Sequence, residues 1–335
     1  MRITKALLHK LANDTIKQRK RSEPDLHAAY LMGSLLGDDP LLGGSTDIDL
    51  VLVHRYLAPV ERETTALTPE VSLDILHTTT ADYEPPRQFR KNALMGYPLI
   101  NSNIILFDTD HWLEFLQSSV TAEFHRTDNV LARVNALLSS GREIWQNLYA
   151  TPPAEHLNWL DNFLQALAFG ANALAGLIGP PLTTRRFMPD FNQRMHTLGT
   201  PDIYPVFCGL LGCMEEHENK FSVWIDAFEK DLELFAGTGS PPPHLSACRQ
   251  AYYVQGIKAL AYDDNPTHMV WPLLRTWLDL HIASPQETPG FDIWQDLLNS
   301  HNFTEEVCDA KVRGLDAFLD RIEILIETWS NTYAF

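Results

Sequence analysis

Gly33-Ser34 and Asp47-Ile48-Asp49 are the residues of this sequence best placed to do chemistry. The second stretch runs on as Leu50-Val51-Leu52-Val53, an apolar run that reads as a strand. On a strand alternate side chains share a face, so Asp47 and Asp49 stand on one side and Ile48 and Leu50 on the other. Two carboxylates a few ångströms apart repel each other unless a cation lies between them. Oxygen-only ligation suits Mg2+. The twelve residues Leu35 to Thr46 contain Gly37, Gly43 and Gly44 and read as a loop. The Gly-Ser turn before that loop offers backbone N–H groups and a hydroxyl to an anion. Phosphate held beside Mg2+ at a strand edge is an arrangement for phosphoryl or nucleotidyl transfer.

A third acid comes from Val71-Ser72-Leu73-Asp74-Ile75-Leu76, where Ser72 and Asp74 alternate with apolar residues. If this strand pairs beside the first, Asp74 adjoins Asp47 and Asp49. Glu70, four residues earlier, is the alternative. Asp74 is preferred because it sits mid-strand between apolar neighbours, where a buried acid needs a partner and a metal is the obvious one. A triphosphate also needs fixed cations. Arg185 and Arg186, in Thr183-Thr184-Arg185-Arg186-Phe187, are the first candidates, and Arg87, Arg90 and Lys91 the second.

Gly33-Ser34, the spacer, Asp47-x-Asp49 and a later acidic strand together resemble the nucleotidyltransferase superfamily typified by DNA polymerase beta. Within it, the chain looks most like the aminoglycoside-type, antibiotic-modifying nucleotidyltransferases with a helical C-terminal domain. The resemblance is specific over about Ala28 to Leu76 and architectural beyond. It implies that Asp47 and Asp49 bind Mg2+ on a nucleoside triphosphate, with ATP the expected co-substrate. Asp74 would complete a second metal site or act as general base. Gly33 and Ser34 would hold the terminal phosphates, with Arg185 and Arg186 reaching them from the helical domain. The acceptor would be a small hydroxylated, cationic molecule, lined by acids of the helical half, for which Asp263-Asp264 is one candidate pair. Two alternatives stand beside this reading: a nucleotidyltransferase that modifies a protein hydroxyl, and a non-catalytic module that binds a nucleotide or a partner. The intact acids count against the second, since without a metal they would carry an electrostatic cost for nothing.

The 335 residues suffice for two domains. The formal net charge is −17, with a balance of −4 over residues 1–115 and −13 over the rest. That field repels a polynucleotide, which needs a basic footprint, and attracts a polycation. No apolar run approaches ~18 residues, so no transmembrane helix is expected. The N-terminal Met1 to Ser22 reads as a basic amphipathic helix without a signal-peptide core, and a cytoplasmic location is expected. Cys208, Cys213, Cys248 and Cys308 fit no zinc spacing. No G-x-x-x-x-G-K-[ST], kinase or G-x-S-x-G motif occurs.

The elements that must position these residues follow from periodicity. A helix leads into a strand over His27 to Met32, a short helix follows Ser34, and strands are expected over Asp47 to His54, Val71 to Leu76 and Asn103 to Asp108. Pro59 to Thr68 is polar and reads as a short helix or loop. Thr151-Pro152-Pro153 opens an all-helical region. The fold class is α+β: a small mixed sheet domain over 1–115, a helical connection over 116–150, and a helical bundle over 151–335.

Overall fold

A computed structural model describes residues 3–101, 104–152, 154–214, 217–237, 241–284 and 287–333. The fold is α+β, a five-stranded mixed sheet followed by a helical region. Asn103 and Pro153 lie outside the described residues.

Helix α1 (Lys5–Ser22) leads into strand β1 (Leu26–Met32). Then come β2 (Thr46–His54), β3 (Arg62–Ala66) and β4 (Val71–Thr79), helix α2 (Ala93–Leu99) and β5 (Ile105–Asp108). The sheet order is β3-β4-β2-β1-β5. β2 lies at the centre, parallel to β4 and antiparallel to β1. Its position explains its composition: Ile48, Leu50, Val51, Leu52 and Val53 are all buried, as a strand covered on both faces requires. The expected short helix after Ser34 is a four-residue 3-10 turn, Gly33–Leu36, too short for a sustained dipole.

Arg62 to Ala66 corrects the expectation of a helix or loop over Pro59 to Thr68. As the edge strand, β3 buries no complete face, so its sequence shows no apolar alternation. It is held antiparallel to β4 by its main chain, with Thr64 opposite Asp74.

Helices α3 (Trp112–Thr121), α4 (Thr127–Ala150), α5 (His156–Ala175), α6 (Phe187–Thr197), α7 (Ile203–Leu210) and α8 (Glu218–Ala236) follow. The last four are α9 (Gln250–Ala261), α10 (Val270–Ala283), α11 (Phe291–Ser300) and α12 (Cys308–Tyr333). Among the described residues no helix is long and apolar enough to cross a membrane.

The chain forms two compact units, one of residues 1–129 with 242–256 and one of residues 130–241 with 257–335. Segment 242–256, expected with the helical half, is thus part of the sheet unit. Two contacts account for it. The Thr64 hydroxyl on β3 lies 3.0 Å from that of Ser246. Gly43, at φ +62°, lies so close to Gln255 that a Cβ at position 43 would come within 2.0 Å of its carbonyl oxygen.

Candidate functional site

Pairing register builds the site. Asp49 stands opposite Asp74 across the parallel β2–β4 ladder, and Asp47 opposite Ser72. Residues paired in register share a face, so all three carboxylates fall on the same side of the sheet. Their nearest oxygens lie within 4.8 Å of one another. Glu70, the alternative third acid, is not among them. It is exposed in the turn before β4, where it accepts a hydrogen bond from the Thr68 hydroxyl at 3.0 Å.

The turn after β1 meets this cluster. Gly33 is in the left-handed region at φ +72°, and a Cβ there would lie 1.7 Å from Asp49 Oδ2. A side chain at position 33 would therefore occupy the space over the Asp49 carboxylate, and glycine leaves that space open. Ser34 Oγ lies 3.4 Å from the Thr46 hydroxyl, which itself donates to the Pro40 carbonyl at 2.8 Å. Gly33-Ser34 and the three acids are thus brought to one place.

Two arginines that sequence reasoning missed also stand there. Arg62 on β3 donates from Nε and Nη2 to both oxygens of Asp74, at 2.7 and 2.6 Å. Arg249 donates from a single Nη1 to Asp47 Oδ2 at 2.8 Å and Asp74 Oδ2 at 3.0 Å. Its guanidinium is buried and stacks 4.2 Å from the Tyr252 ring centroid. The cation expected between these acids is thus supplied in part by the protein itself: two guanidinium charges face three carboxylates. Neither had a usable signal, for Arg62 lies on a polar edge strand and Arg249 arrives from more than 170 positions beyond either acid it contacts. The Tyr252-Tyr253 pair following Arg249 was the nearest clue.

The electrostatics divide the acids. Burial first, and then Asp47, hold the Asp49 carboxyl well above the usual carboxylate range, while the Arg249 charge pulls the other way. Asp49 is half-buried and accepts no hydrogen bond from the described residues. The hydrogen bond to Asp74 chiefly raises Arg62 above its ordinary value. Burial opposes the Arg249 charge, but Asp47, Tyr253, Tyr252 and Asp74 outweigh it and raise that group as well.

The donor set suits a hard divalent cation, being all oxygen with three carboxylates converging. Two further observations agree. Asp49 keeps its lone pairs unspent, and the buried Ser72 Oγ, in register with Asp47, has no hydrogen-bond partner. A cation would share Asp47 and Asp74 with Arg249.

Arg90 donates to the Ser119 carbonyl and to Glu123, which ties the segment before α2 to α3. Arg185 and Arg186 form the turn before α6 in the helical unit, and Arg185 is buried. Arg186 is close enough to Asp190 to hold that carboxyl down, against a burial effect that on balance raises it. The four cysteines are free thiols, each half-buried.

No protein family model matches the chain, and no curated protein matches it. Among solved structures it is similar to a nucleotidyltransferase-like protein from Exiguobacterium sibiricum 255-15. That likeness has 16% identity and a TM-score of 0.34 over 93% of this chain and 91% of the other.

Proposed function

We propose that this chain is a Mg2+-dependent nucleotidyltransferase that moves a nucleoside monophosphate, AMP from ATP, to a hydroxyl of a small cationic acceptor of the aminoglycoside class. One observation carries the reading: Asp47, Asp49 and Asp74 converge beneath a glycine whose missing side chain leaves the Asp49 carboxylate open. Mg2+ held by these three acids would supply charge neutralisation to the triphosphate oxygens. The chain's own groups do the rest. The Gly33-Ser34 turn offers N–H and hydroxyl donors to phosphate. In the transfer, the acceptor oxygen bonds to the α-phosphorus, the bond to pyrophosphate breaks, and the hydroxyl proton goes to a carboxylate. Asp49 is the acid of the cluster left open to a cation, since it accepts no hydrogen bond from the described residues, whereas both Asp74 oxygens already accept from arginine. The net charge of −17 favours a cationic acceptor over a polynucleotide.

A second reading has its own observation. Because Arg62 and Arg249 already balance most of the carboxylate charge, the cluster is also the kind of ion network that a non-catalytic nucleotide- or partner-binding module would keep. Calorimetry of ATP and GTP binding, with and without Mg2+, separates the two. Metal-dependent binding that disappears in the Asp47→Asn/Asp49→Asn variant supports the transferase, and an acceptor screen then begins with aminoglycosides. Absence of triphosphate binding under every condition overturns it.

A further inference from the structure

The opposite face of the sheet carries a second convergence of ligand atoms. His54, the last residue of β2, and His77 on β4 fall on the side away from Asp47 and Asp49. Both side chains are almost fully buried, at 2% and 1% exposure. His54 Nε2 and His77 Nδ1 lie 2.9 Å apart. Glu23, the residue that ends α1, brings Oε2 to 4.0 Å from His54 Nε2.

Apart from the contact between the two rings, the surrounding bonds leave these three atoms without a partner. Glu63 on β3 lies 3.2 Å from His77 Nε2 and can only accept, so that nitrogen carries the ring proton and Nδ1 faces His54 without one. Arg19 donates to Glu23 Oε1 at 2.8 Å and also to Glu63. The other Glu23 oxygen, Oε2, is buried and accepts no hydrogen bond. Two carboxylates facing one guanidinium leave a negative charge at a half-buried position.

We propose that Glu23, His54 and His77 form a transition-metal site of the zinc class on this face of the sheet. Two imidazole nitrogens and a carboxylate are a zinc ligand set, and hard Mg2+ or Ca2+ would not select them. Separations of 2.9 and 4.0 Å around one centre are compatible with ligand bonds of about 2.0–2.2 Å. Glu63 supplies the outer carboxylate that metal-binding histidines characteristically engage through their second nitrogen, and Arg19 holds Glu63 in turn. Binding requires His54 to move its proton from Nε2 to Nδ1, with no change in net ring charge. Because both histidines are closed to solvent, the role is structural: the ion ties the end of α1 to β2 and β4. The inference is independent of the proposed transferase activity, since it uses none of the residues on the carboxylate face.

The test is titration of the metal-free, full-length protein with Co2+ and with Zn2+. One equivalent of bound metal is expected, with a visible ligand-field absorption of low-symmetry Co2+ that Zn2+ displaces. His77→Gln should abolish the absorption. Glu23→Gln, at the more accessible end of the cluster, should weaken Zn2+ binding at least tenfold, and Glu63→Gln by about 10- to 100-fold. Asp49→Asn should leave the absorption unchanged. If His77→Gln does not fold, Glu23→Gln decides the matter. An absence of Co2+ absorption in the unmodified protein, or an absorption insensitive to Glu23→Gln, overturns the site.

Discussion

Asp231 in the helical unit and the Asp47–Asp49–Asp74 cluster in the sheet unit both take carboxylates out of water, with different partners. Asp231 is fully buried and accepts from Trp277 Nε1 at 3.0 Å, the Thr288 hydroxyl at 2.6 Å and the Gly290 amide at 2.8 Å. Every donor is neutral, each belongs to a segment the acid helps to hold, and nearby His281 is pushed down to about 4, chiefly by burial. The sheet acids are instead set against one another and answered by two guanidinium charges, Arg62 and Arg249. A carboxylate satisfied by fixed dipoles has spent its lone pairs on the fold. Carboxylates set against each other keep a capacity for a cation, and Asp49 keeps the most.

The largest effect is expected where the acid is structural. Asp231→Ala leaves three buried donors without an acceptor and should cost about 3–5 kcal/mol of stability, at roughly 1–3 kcal/mol for each unsatisfied group less relaxation. Thermal or urea unfolding measures it, and Mg2+ should not restore any of the loss. Restoration by Mg2+ would break the contrast between the two sites.

Arg249→Met tests the other side and should cost about 3 kcal/mol in the presence of a chelator, because it strands buried Asp47 and leaves Asp74 with Arg62 alone. Here Mg2+ should recover part of the loss, since it would take over the oxygens that Arg249 held. The melting temperature of this variant should therefore rise more steeply with Mg2+ than that of the unmodified chain. Equal slopes would mean that the cluster is an ion network with no appetite for metal, and would favour the non-catalytic reading.

The contrast also explains what could be read in advance. Asp47, Asp49 and Asp74 were legible because strand alternation fixes the face of each residue, and because an acid between apolar neighbours needs a reason to be there. The mixed sheet and most long helices were legible for the same reason of periodicity. Arg249 was not, because the contact that buries it is tertiary and leaves no local pattern. β3 was not, because an edge strand buries too little to impose alternation. α7 was missed for the opposite reason: Ile203–Leu210 is nearly all apolar, with Pro205 and Gly209 inside it, so no polar face marks a helix. Asp231 passed unnoticed as one more acid on a charged helix, although its partners come from α10 and from Thr288 and Gly290.

The smallest and sharpest effect belongs to Asp49→Asn. The folded protein holds the Asp49 carboxyl above its usual range, so between the unfolded value near 4 and that raised value the native state binds more protons than the unfolded state. Stability from this group is therefore greatest below the unfolded pKa and falls as pH rises toward the folded one. The asparagine variant removes the charge and should be equal to the parent at low pH. It should then be more stable by on the order of 1 kcal/mol above neutrality, while losing metal-dependent triphosphate binding. Unfolding measured from acid to neutral pH checks the sign. A variant that loses stability as pH rises, in parallel with its parent, would show that Asp49 is ionised and satisfied like Asp231.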